Sequence, residues 1–228
     1  MTQRPAPRNL HRLNTPRAAA LAGVLFALLF GAALALIHGS LPEGAKPGSA
    51  WLEGAVGPLK AASILMPFAG ICFLWFIGVV RDGLGHFEDR FFASVFLGSG
   101  LLFLAMMFGA TAVGVALVAS RNVGDPASHD VLVAYGQTLL LTLSKTYALR
   151  MGGVFMISLA TIWLKTGLMP RWLIGTTYGL AIVLLLLSDV SMWFTLVFPA
   201  WVLVVSLLAL SRAGIIDLHF RDSESNPA

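Results

Sequence analysis

The chain has a single cysteine, Cys72, among 228 residues, and only 11% of its residues are charged. One cysteine excludes a disulfide framework and any zinc or iron–sulfur site built on several cysteines. A soluble domain carries about 25% charge, so this composition lies outside the soluble class. Disorder is excluded as well, because it requires low hydrophobicity and high charge. Fifteen Lys and Arg against eleven acids is too sparse for a nucleic-acid footprint, and no nucleic-acid partner is expected. Also missing are a Gly-rich phosphate loop, a His-Glu-x-x-His helix and a Ser-His-Asp spacing, so nucleotide, zincin and covalent chemistry have no motif to rest on. No paired histidines occupy the middle of an apolar run as a haem would need. No cofactor and no metal is expected.

What is abundant is apolar sequence: 57% hydrophobic residues and a mean hydropathy of +0.83. A membrane-spanning helix needs about 20 mostly apolar residues. Residues 18–37, 61–80 and 91–120 each meet this requirement. Residues 131–164 are apolar except for Lys145 and Arg150. As one helix they run to about 51 Å, too long for a single crossing, and as two crossings they leave pieces too short to span. The reading is an external or interfacial helical lead-in, 131–144, joined to a span of about 146–164, with Thr138, Thr142, Lys145 and Thr146 along one edge. Residues 172–210 are twice a span with one charge, Asp189, and the Ser188-Asp189-Val190-Ser191 run supplies N-cap chemistry for a break. The fold class is therefore all-α, an integral membrane bundle of six spans. A basic segment, 1–17, precedes the transmembrane domain, 18–211, and a tail, 212–228, follows it. The first apolar run exceeds a signal-peptide core and reads as an anchor. Residues 38–60, with Pro42, Pro47 and Pro58, read as an external loop.

Charge placement sets the orientation. Six spans with an inside N-terminus put Arg4, Arg8, Arg12, Arg17, Arg81, Arg90, Lys165, Arg171, Arg212 and Arg221 on the cytoplasmic side. Only Lys46, Lys60, Arg121, Lys145 and Arg150 fall outside. That bias predicts cytoplasmic termini.

Four features carry potential function. Ala19, Gly23, Ala27, Gly31, Ala35 and Gly39 repeat small residues every fourth position, the pattern of closely approaching membrane helices. The approach is either within the bundle or to a second copy or another membrane protein, and a bulky residue at Gly31 is expected to force the backbones apart. Arg81, Asp82, His86, Glu88, Asp89 and Arg90 crowd an inner loop, with charges that suit the neighbouring helix dipoles. An outer polar cluster gathers His38, His129, Asp130, Arg150 and Asp189. Ionisable groups near hydrocarbon are costly and by default mark function, with a partner, and Arg150 with Asp189 is the expected pair. Pro67 and Pro199 are expected to interrupt their helices near mid-membrane, as in the broken helices of transporters.

The stretch PFAGICFLWFIGVVRDGLGHFEDRFFASVFLGSGLLFLAMMF, residues 67–108, resembles a segment of a bacterial family of uncharacterised multi-pass membrane proteins. GLMPRWL, residues 167–173, is similar to a Pro-Arg-Trp element that opens a helix in such families. The resemblance implies a bacterial inner-membrane protein and assigns no activity. Three functions follow as expectations: a non-catalytic accessory or structural membrane protein, a small-solute or ion transporter, and an intramembrane enzyme using the outer cluster.

Overall fold

The structure is a computed structural model and describes residues 15–41, 50–84, 90–122, 125–188 and 191–224. Every regular element in them is helical: α1 (Thr15–Ser40), α2 (Trp51–Leu84), α3 (Arg90–Ser120), α4 (Pro126–Leu141), a π-helical segment (Thr142–Ala148), α5 (Leu149–Thr166), α6 (Arg171–Leu187), a 3-10 segment (Met192–Leu196) and α7 (Val197–Glu224). Among the described residues five stretches are long and apolar enough to cross a membrane: Ala20–Ser40, Trp51–Arg81, Phe91–Ser120, Pro126–Thr166 and Trp193–Ser211. The fifth of the six expected spans, α6, is shorter than these, with 17 residues and a length of about 26 Å. It stops where Ser188 begins the break between α6 and α7.

An aromatic layer holds the bundle together at mid-height. Phe26 and Phe30 of α1, Phe73 of α2, Phe103 of α3, Phe155 of α5 and Phe198 of α7 are all fully buried. Their rings pack centroid to centroid at 4.4–6.2 Å, with Phe103–Phe198 the tightest pair. Five helices thus meet in one layer, and tilted or edge-on ring packing adds to the burial of apolar surface. Gly152 and Gly153 let α5 approach closely on two sides. A Cβ at Gly152 would lie 3.1 Å from the Phe198 ring, and one at Gly153 would lie 3.2 Å from the Ala181 carbonyl of α6.

The helices are of unequal length above this layer, at the end that carries His38. Along α2, Trp51 lies about 33 Å from Phe73 at 1.5 Å per residue, and along α4 His129 lies about 39 Å from Phe155. Half a hydrocarbon core is only about 15 Å, and the His38-side ends of α2, α3 and α4 lie farther than that from the layer. Residues 51–60 are thus helix rather than loop. Leu52, Ala55, Leu59 and Ala62 are buried at three- and four-residue spacing, and this packing overrides the poor helix propensity of Gly57 and Pro58.

The expected lead-in and span are one continuous stretch of 41 residues, and the join at Lys145 is the π-helical segment. Asp125 starts it, with Ser128 N–H donating to its carboxylate at 3.3 Å. Gly167, in the left-handed region at φ 68°, ends it by donating its N–H to the Trp163 carbonyl. Pro67 lies inside an α2 that runs on without a break, and Pro199 falls in the first turn of α7, where its missing N–H leaves no helical bond unmade. Pro170 precedes α6 in extended conformation.

Candidate functional site

Three departures from regular α-helix meet on the His38 side of the aromatic layer. His38 closes α1 and is 4% exposed; Thr195 of the 3-10 segment is 2% exposed. The Thr195 hydroxyl lies 3.3 Å from His38 Nε2, and Trp193 stands edge-on to the imidazole at 5.8 Å. The π-helical segment packs against the 3-10 segment and carries Lys145, whose charge is within electrostatic reach of His38. One turn further on, Arg150 Nε donates to the Leu185 carbonyl and its Nη1 to the Thr146 carbonyl, both at 3.4 Å. Ser188, at the end of α6, is fully buried with no partner for its hydroxyl among the described residues.

Depth gives this junction its interest. Along their helices Arg150 lies about 8 Å and Lys145 about 15 Å from Phe155, and His38 lies about 12 Å from Phe30. All three lie within about 15 Å of the aromatic layer, the half-thickness of a hydrocarbon core. Non-α backbone is tolerated at that depth only inside protein or beside a water-filled cavity. Here the Arg150 guanidinium donates to the Thr146 carbonyl of the π-helical segment and to the Leu185 carbonyl near the end of α6, while the His38 ring and the Thr195 hydroxyl face each other. The Ser188–Ser191 break sits where the sequence placed it, and Ser191 is the N-cap, its Oγ accepting from Trp193 N–H at 3.3 Å. Asp189 falls outside the described residues, so its pairing with Arg150 stays an expectation.

The outer cluster expected from the sequence divides in two. His38 and Arg150 belong to the junction, while His129 and Asp130 lie in the first turn of α4, about 24 Å along the helix from Lys145. His129 instead lines a surface cleft of about 510 Å³ with Leu52, Glu53, Val56, Arg121 and Asn122. Asp130 is exposed. An enzyme working through His38, His129 and Asp130 together loses its geometric basis. Neither Thr195 nor Trp193 was anticipated as a partner of His38, since 155 or more residues separate them in the chain.

Of the inner-loop cluster, Arg81 is exposed at the end of α2 and Arg90 opens α3. Asp82 lies in α2, and His86, Glu88 and Asp89 fall outside the described residues. At that end Lys165 Nζ lies 4.7 Å over the Phe92 ring, and Trp201 Nε1 donates to Thr177 at 3.0 Å.

The small-residue ridge is a packing surface over part of its length. Gly23 and Ala27 are buried, Gly31 is half-buried, and Ala35 and Gly39 are exposed; the Ala19 side chain is not described. A strict step of four residues rotates about 40° per step on a helix of 3.6 residues per turn, so the ridge turns away from the bundle. The buried face instead runs through Phe26, Phe30, Ala33, Leu34, Ile37 and His38. Nothing lies within 4 Å of a Cβ placed at Gly31, which corrects the expectation that a bulky residue there would force helices apart.

Among the described residues no three His, Cys, Asp or Glu side chains are grouped to hold a metal ion. No family model, curated protein or solved structure matches the chain.

Proposed function

We propose that this helical membrane protein is a non-catalytic accessory or structural component of a bacterial cytoplasmic membrane, with both ends of the bundle's chain on the cytoplasmic side. The observation that carries this reading is the aromatic layer. Six buried phenylalanines from five helices fill the bundle at mid-height, which leaves little room there for a solute path. Orientation rests on the ten-to-five division of basic residues, which favours the Lys165 end as cytoplasmic. The α2, α3 and α4 extensions then stand on the outer side as the natural surface for another membrane protein, with Val131 and Tyr135 of α4 exposed.

A second reading, transport of a small solute or ion, is favoured by one specific feature. The π-helical segment and the 3-10 segment lie on one side of the aromatic layer with His38, Lys145 and Arg150, which is how discontinuous helices build ion sites. Proteoliposomes separate the two. The accessory reading expects flux of ions and small solutes equal to that of protein-free vesicles. It also expects photo-crosslinkers at positions 131 and 135 to trap one discrete membrane partner in cells. Saturable flux abolished by Arg150→Ala, with folding preserved, would replace it with the transport reading.

A further inference from the structure

Beyond the accessory reading and independent of it, we infer that the cleft at the outer ends of α2, α3 and α4 binds a small zwitterion, a molecule carrying an ammonium and an anionic group. Its wall brings together a carboxylate, Glu53, and a guanidinium, Arg121, with Asn122 and His129 beside them. Glu53 and Arg121 make no ion pair with each other among the described residues, although both line the same space. His129 Nδ1 is buried without a hydrogen-bond partner among the described residues, an arrangement that proteins rarely leave uncompensated. The floor is apolar: Leu52 is buried and Val56 half-buried.

Each element of this lining narrows the ligand. A simple anion is repelled by Glu53, and a simple cation by Arg121. A divalent cation would find one carboxylate and one imidazole facing a fixed positive charge, too few ligands for a stable site. A dipolar molecule satisfies both charges at once. Its anionic group takes the planar guanidinium fork in two parallel bonds, and its ammonium takes the Glu53 carboxylate. His129 Nδ1 provides a third polar contact, and Leu52 with Val56 accommodates a modest apolar substituent. The volume of about 510 Å³ is within the range of small-molecule sites. Two sources offer this chemistry: a free amino acid with an apolar side chain, and the phosphoethanolamine headgroup of a lipid. Along α2 Glu53 lies about 30 Å from Phe73 of the aromatic layer, and Glu53, Arg121 and Asn122 are exposed, which places the cleft in reach of a dissolved solute.

The test uses the full chain in nanodiscs of phosphatidylcholine alone, with radiolabelled L-leucine as the probe. Saturable binding is expected, competed by unlabelled leucine but at least tenfold less well by leucine methyl ester, which lacks the carboxylate, and by 4-methylpentanoate, which lacks the ammonium. E53Q and R121Q should each weaken binding at least tenfold while leaving the melting temperature unchanged, since both side chains are exposed. Nanodiscs containing phosphatidylethanolamine distinguish the sources. If leucine is not bound, but phosphatidylethanolamine raises the melting temperature and E53Q and R121Q each abolish that rise, the zwitterion is the lipid headgroup. Absence of both responses in folded protein overturns the site. So does competition by either single-charge analogue as strong as that by leucine, or binding that survives both substitutions.

Discussion

Gly23 and Gly31 sit eight residues apart on α1 and share one sequence pattern, yet their surroundings are opposite. A Cβ at Gly23 overlaps the Ser206 hydroxyl and the Phe76 ring, whereas one at Gly31 meets open space. Gly23→Leu should therefore lower the melting temperature in detergent, with a destabilisation of about 1–3 kcal/mol typical of overpacking. Gly31→Leu should leave it within a degree or two. Equal losses at both positions would mean that α1 is rotated from the orientation described. Phe198 makes the complementary case. It touches the rings of Phe26, Phe73, Phe103 and Phe155, so Phe198→Ala should cost about 3–5 kcal/mol in cavity and lost contacts. Phe91, exposed on α3, should tolerate the same change, and thermal unfolding of the pair measures the contrast. The repeat of small residues was visible in the sequence, but which of them packs was not. A four-residue step lies close enough to the helical period to look like a straight ridge over two turns, and it drifts away over four.

At the scale of elements, the start of α4 gives a dependence on pH whose sign is fixed. Hydrogen bonds from the Ser128 side chain and backbone N–H hold the Asp125 carboxyl below its ordinary value. A depressed native pKa means that the cap's contribution is fully present above the unfolded value, near 3.9, and is lost as pH falls through the folded value. Amide exchange in the first turn of α4 should therefore show less protection, relative to the helix centre, at pH 3 than at pH 6. Asp125→Asn, a cap that does not titrate, should remove the difference. Persistence of that difference in the Asn variant would assign it to another group. The helices themselves were largely legible, because 20-residue apolar runs and Pro-Arg-Trp or Ser-x-x-Ser punctuation are local signals. The helical course of residues 51–60 was not, since Gly57 and Pro58 argue against it locally and only burial of Leu52, Ala55 and Leu59 decides it. The long stretch before Lys165 shows the same limit. Its length problem was evident from the sequence, but the solution, a π-helical turn at Thr142–Ala148 within one continuous helix, depends on what α3 and the 3-10 segment pack against it.

For the whole molecule, the unequal helix lengths at the two ends turn an orientation into a chemical question. The His38 end carries Glu53, Lys60 and Arg121 at the longer ends of α2 and α3, while the opposite end carries Arg81, Lys165 and Arg171 close to the Phe92–Lys165 contact. Ten basic residues against five predict a cytoplasmic location for the latter. Because Cys72 is the sole cysteine, Cys72→Ala gives a thiol-free background in which single cysteines report sidedness. A cysteine replacing Lys60 or Arg121 should react with a membrane-impermeant maleimide in intact cells stripped of their outer barrier. One replacing Arg81 or Arg171 should react only after the membrane is permeabilised. The reverse pattern would invert the bundle. Labelling of residues 121 and 171 from the same side would have a different meaning: the Pro126–Thr166 stretch would no longer carry the chain across between them. That outcome would place the π-helical segment in a re-entrant hairpin rather than within a full span. In the expected orientation His38, Lys145 and Arg150 lie on the outer side of the aromatic layer. Any solute reaching them from outside meets six closed rings before the cytoplasm.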